Sequence, residues 1–145
     1  MRVLCCLLVV CFTAQSAVAR DDTRFFGIQS AMNLGEKKTP IADKHIKFYF
    51  GDQPHAEVVE RFVKVDALRK TNSFGKSPQD ACEWAFLSAL LVLREKAIDY
   101  GANAVVNIHS YYDKKPFESN EKFECHDGAI TTGVALRGSI VTLEE

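Results

Sequence analysis

Ser77-Pro78-Gln79-Asp80 and, further on, Gly101-Ala102-Asn103-Ala104-Val105-Val106 are the stretches that decide the fold. A serine at an N-cap accepts from the exposed N–H groups of the first turn. Proline at the first helical position gives up a donor that has no partner there, and aspartate two residues on complements the helix dipole. The spacing predicts a helix from Pro78 to about Tyr100, closed by Gly101 in the left-handed conformation. On a helical wheel Cys82, Ala85, Phe86, Ala89, Leu90, Leu93, Ala97 and Tyr100 share one broad face, which is expected to meet a sheet. Trp84, Leu87 and Leu91 fall on the opposite side, where a surface helix should be polar. Two readings stay open for them: residues 25–34 fold over the helix, or the stripe is an interface with a partner protein or a second subunit.

Strands flank this helix. Residues 45–50 alternate, with Ile46, Phe48 and Phe50 on one side and Lys47 and Tyr49 on the other, and Gly51-Asp52-Gln53-Pro54 ends the run with turn chemistry. Residues 58–68 form a second β-rich run. Beyond the helix, residues 104–112 read as a strand with Ala104, Val106 and Ile108 facing one way and Asn107, His109 and Tyr111 the other. Residues 113–120 read as an exposed loop, and residues 122–126 as a strand with Phe123 and Cys125 opposite Glu124 and His126. Residues 129–143 form a long β-rich tract in which Gly133 and Gly138 suggest bulges or a bend. The expected order is β-β-α-β-β-β. This is a single α+β domain over residues 45–145, one long helix on an antiparallel sheet, with residues 20–44 as an arm packed on it.

The start of the chain bears on compartment. Met1-Arg2 is a short basic start, residues 3–12 are unbroken apolar, and Ala17-Val18-Ala19 is a small-x-small cleavage site, so residues 1–19 read as an export signal. Ten apolar residues are half the roughly 20 that a spanning helix needs. A lipoprotein signal would require a small residue before its cysteine, and Val10 precedes Cys11. Cys5, Cys6 and Cys11 leave with the signal. Cys82 and Cys125 then remain as an even pair in an oxidising compartment, periplasmic or secreted, and a disulfide is the natural reading.

After cleavage, loss of Arg2 from 18 basic residues leaves 17 against 19 acidic ones, a formal charge of −2. The signs are interspersed, and nothing resembles the basic footprint of a nucleic-acid binder. If residues 104–112 and 122–126 pair as a simple hairpin, His109 lies opposite Glu124 and Asn107 opposite His126. Imidazole and carboxylate neighbours of this kind could hold a divalent transition metal, with His109, Glu124 and His126 as ligands; the same face also reads as solvated or covered by a neighbouring subunit. No catalytic residue is expected. Ser110 and His109 are adjacent on a strand and point to opposite faces, and the acidic pairs show no apolar pocket to raise a pKa.

Gly101-Ala102-Asn103-Ala104-Val105-Val106 and the later Gly133-Val134-Ala135-Leu136 resemble the fold shared by small bacterial heavy-metal-binding proteins and the lipoprotein sensor of the Rcs phosphorelay. More closely, Phe48-Tyr49-Phe50-Gly51-Asp52-Gln53, Lys70-Thr71-Asn72, Cys82-Glu83-Trp84-Ala85-Phe86 and Asn107-Ile108-His109-Ser110-Tyr111-Tyr112 resemble exported bacterial proteins often labelled excinuclease ATPase subunit. The resemblance covers residues 45–143 and implies fold and compartment, with no secure function attached. The ATPase label itself fails on the residues. Gly75-Lys76-Ser77 looks like the end of a phosphate-binding loop, but the motif needs glycine where Lys70 stands, and Pro78 follows at once. The chain is thus expected to be a non-catalytic, disulfide-stapled exported module that binds a protein partner or itself, with metal binding as the alternative.

Overall fold

The computed structural model describes residues 20–39, 41 and 45–145; the stretch read as an export signal, with its three cysteines, lies outside the described residues. The elements run β1 (Asp21–Gly27), α1 (Ile28–Lys38), β2 (Lys47–Phe50), β3 (Val58–Asn72), α2 (Pro78–Asp99), β4 (Ala104–Tyr112), β5 (Lys115–Phe117), β6 (Lys122–Gly128) and β7 (Thr131–Leu143). The α+β class and the long helix match expectation. The stretch read as an arm instead supplies an edge strand and a helix, and the loop after β4 holds the short strand β5.

Strand β7 is the spine of a seven-stranded sheet. β3 pairs along one whole edge of it, from Val58 opposite Leu143 to Asn72 opposite Thr131. On its other edge β4 takes the C-terminal half and β6 the N-terminal end. β1 extends the sheet beyond β6, and β2 and β5 extend it beyond β4. The β2–β4 pair is parallel, so the sheet is mixed rather than antiparallel. Between those two strands the chain passes through β3 and α2, a crossover long enough for parallel pairing.

Helix α2 begins as its cap dictates: Ser77 Oγ accepts from the Asp80 N–H at 3.1 Å. Gly101, at φ 66°, closes it, and the Ala102 N–H donates to Ala97 O at 2.9 Å. Asn103 then acts as a clasp. Its amide donates to Leu143 O and its carbonyl accepts from the Leu143 N–H, pinning the end of β7 to the start of β4.

α2 is apolar on two sides because it is covered on two sides, by the sheet and by α1. At Gly35 of α1 a Cβ would lie 2.7 Å from Leu87 Cδ2, so the bare backbone sets the closeness of the helices. Leu87 is fully buried as a result, while Trp84 and Leu91 are half-buried against the same core and the Lys38 ammonium sits 6.0 Å over the Trp84 ring. Of the two readings left open for Trp84, Leu87 and Leu91, these contacts match the one in which the preceding segment folds over the helix, with Leu87 at the centre of the α1–α2 contact. Glu83, buried there, accepts from Ser30 Oγ at 2.6 Å and from Gln79 Nε2 at 2.9 Å.

Beneath α2, Phe86 stacks on Phe123 at 4.4 Å and approaches Phe50 at 5.9 Å. Cys82 and Cys125 form a disulfide, Cα to Cα 5.9 Å, joining the first turn of α2 to β6. In the chain-entropy model a loop with the observed separation of 43 contributes about 4 kcal/mol. A buried polar chain closes the same layer: Asp127 accepts from Arg20 and from Thr132 Oγ1, and Thr132 bonds Ser73.

Two expectations about strand parity are corrected. Asn107 has φ 50° and is an extra residue in β4, where the pairing with β7 shifts. Ala104 and Val106 therefore join Val141 and Leu143 on the second face, whereas Ile108 lies with Val105 in the core under α2. The glycines of β7 are sites of close approach rather than bulges. A Cβ at Gly138 would meet Val105 Cγ1 at 2.6 Å and Leu93 Cδ1 at 3.3 Å, so the empty position lets the helix and β4 close on β7.

Candidate functional site

The second face of the sheet carries no helix among the described residues, and its polar half holds two stacked clusters. In the first, Arg137 on β7 lies directly opposite Asp66 on β3 and His109 on β4. Its guanidinium donates to both Asp66 carboxylate oxygens, at 2.5 and 2.6 Å, and lies 3.6 Å from the centre of the Tyr111 ring. This combines a bidentate ion pair with a cation–π contact. The Arg137 hydrogen bonds hold the Asp66 carboxyl below its ordinary value against the opposing effect of burial, and the charges of Arg137 and Lys114 lower it further. His109 is turned back on its own strand, with Nδ1 2.8 Å from Asn107 O.

In the second cluster, Tyr112 stacks on His126 almost face to face, 3.6 Å between centroids and 9° between planes. Carboxylates flank both ring nitrogens: Glu124 Oε1 is 2.7 Å from Nε2 and Asp21 Oδ1 is 3.3 Å from Nδ1. Burial raises the Tyr112 phenol above its ordinary value, and Asp21, Asp113 and Glu124 raise it further. The strand reaches this position because Asp113 and Lys114, both at positive φ, make the tight two-residue turn from β4 into β5. Gly133 provides the floor, since a Cβ there would lie 3.3 Å from the Tyr112 ring.

A cleft of about 330 Å³ runs between the clusters, walled by Asp66, Leu68, Lys70, Tyr111, Tyr112 and Lys114. A second, of about 190 Å³, continues past Tyr112 to Asp21, His126 and Thr131. A larger groove of about 480 Å³ opens near Met32 and Phe48. Its polar wall is already committed to turn formation, with Gln53 Oε1 accepting from the Phe50 N–H and Asn120 bound to Asp52.

The expected metal set is only partly assembled. Glu124 and His126 are in contact, but β4 and β6 are not hairpin partners. They follow one another along the same edge of β7, with His109 opposite Arg137 and His126 opposite Gly133. Four residues of strand separate those anchors, about 13 Å. His109, Glu124 and His126 therefore do not form one ligand set, and no group of three metal-ligating side chains occurs among the described residues. Ser110 is equally committed: it is 2% exposed and its hydroxyl accepts from the Glu124 N–H at 2.8 Å.

The tyrosines, Arg137 and Asp66 were not singled out from sequence. A signal existed, because Arg137 is the lone cation in the apolar tract of β7, and such a residue on a strand implies a facing anion.

No protein-family model matches this chain, and no curated protein matches its sequence. The site's geometry is therefore the basis for reading its function.

Proposed function

We propose that this protein is an exported, non-catalytic protein-binding module, stapled by Cys82–Cys125 and working through the face that carries Tyr111, Tyr112, His126 and Arg137. The observation that carries the reading is the stacking of these side chains on a sheet face with no helix over it among the described residues. Tyrosine and arginine are the residues that dominate protein interfaces. Held in place before binding, they lose little side-chain freedom when a partner docks. The titratable groups support binding over chemistry, because Asp66 is spent on Arg137 and Glu124 on His126. Export is supported by the disulfide together with the apolar run and cleavage pattern of residues 1–19. The resemblance to exported bacterial proteins points to the same compartment.

Photo-crosslinking in intact cells tests the reading. A crosslinker replacing Tyr112 should give discrete adducts with another protein, lost on Arg137→Ala, while one replacing the exposed Glu95 of α2 should not. Equal adduct patterns from the two positions would overturn it.

A further inference from the structure

We propose that β3 pairs with β3 of a second copy of this chain, antiparallel and about a two-fold axis at Leu68, joining two sheets into one. The inference concerns the sheet edge and does not depend on the binding role of the open face.

β3 is fifteen residues long and pairs only with β7; among the described residues no strand lies on its other edge. Such an edge presents a row of unpaired N–H and C=O groups. Which groups these are follows from the ladder. The Ser73 N–H donates to Ile130 O, one step beyond the paired Asn72 and Thr131. Alternation then turns Thr71, Arg69, Ala67 and Val65 towards β7, and Asn72, Lys70, Leu68, Asp66 and Lys64 outwards. Two contacts agree with this parity: Leu68 O accepts from the Arg69 guanidinium and Asn72 O from the Lys76 ammonium. These carbonyls are occupied by flexible cationic side chains that another strand can displace.

The outward residues are self-complementary. Both register shifts of β3 lie before Lys64, so the segment from Lys64 to Asn72 is a regular strand. A two-fold at Leu68 sets Leu68 against its copy, Asp66 against Lys70, Lys70 against Asp66, and Lys64 against Asn72. No like charges meet across the axis. Shifting the axis to Lys64 or Asp66 sets a charge against itself. Leu68 is half exposed, and pairing buries it against an identical side chain. Since Asp66, Leu68 and Lys70 also wall the 330 Å³ cleft, the pair would bring two such clefts to either side of the axis.

The test uses the protein isolated with its disulfide intact. Native mass spectrometry and sedimentation over a range of concentrations should show a reversible dimer. Lys70→Glu sets like charges together on both sides of the axis and should raise the dissociation constant about tenfold. Leu68→Cys should give a dimer linked by a disulfide under oxidising conditions, and Val59→Cys, more exposed to solvent but out of register, should not. A chain that stays monomeric at high micromolar concentration overturns the proposal. So does a dimer indifferent to Lys70→Glu, or one that links as readily through position 59.

Discussion

The two faces of the sheet contrast sharply. The face beneath α2 holds Val105, Phe123, Val134, Leu136 and Ile140, all buried, and is bolted to the helix by the disulfide. The other face has a small apolar patch around Val141 at one end and, at the other, tyrosines, histidines and an arginine stacked on one another. The first face is held by area and covalent linkage. The second is held by pairwise contacts that solvent weakens, so its side chains are ordered while contributing little to stability. Rigidity on one side leaves the other free to carry polar and aromatic side chains in fixed positions.

The largest break in this comparison is loss of the staple. Replacing Cys82 and Cys125 together by serine should remove about 4 kcal/mol, read from the denaturant midpoint. Next comes Gly138→Ala, which forces a methyl into the contact with Val105 and Leu93 and should cost roughly 1–3 kcal/mol in a thermal melt. On the open face the effects shrink. Arg137→Ala should cost under about 1 kcal/mol, because the pair with Asp66 is largely solvent-exposed. Asp66 is held below its ordinary value of 3.8, so its contribution is present above that value and is lost as pH falls through the lower folded value. Stability curves of the protein and Arg137→Ala should converge in that acid window. Smallest is Tyr112. Its phenol is raised above 10.0, so whatever it contributes is present below that pH and is lost as pH rises through the folded value. One of the four tyrosines should ionise late in an absorbance titration, and earlier after Asp21→Asn.

The covered face was the more legible in the sequence. Ser77, Pro78 and Gly101 fix the ends of α2 through purely local chemistry, and the pairing of Cys82 with Cys125 follows from counting. The open face depends on which strands are neighbours, and that information is spread over the chain. Glu124 and His126 looked like hairpin partners of β4 because they follow it closely in sequence. Instead, β6 pairs at its far edge with β1, a strand hidden by the polarity of Asp21, Asp22, Thr23 and Arg24. Edge strands carry charge to resist pairing, and charge erases the apolar alternation by which strands are read. Arg137 and Asp66 stand 71 residues apart, and only the β3–β7 ladder brings them together.

The extra residue at Asn107 has a consequence for how this chain can vary in length. Without it, Ala104, Val106, His109 and Tyr111 would still alternate with Val105, Ile108 and Ser110, so both faces keep their side chains whether the residue is present or not. What it adds is a side-chain amide donating to Gly51 O, tying β4 to the turn after β2. Deleting Asn107 should therefore be tolerated where deleting Val106 or Ile108 is not. Insertions and deletions in strands usually scramble every downstream position. Here one residue can be gained or lost while the chemistry on both sides of the sheet stays in frame.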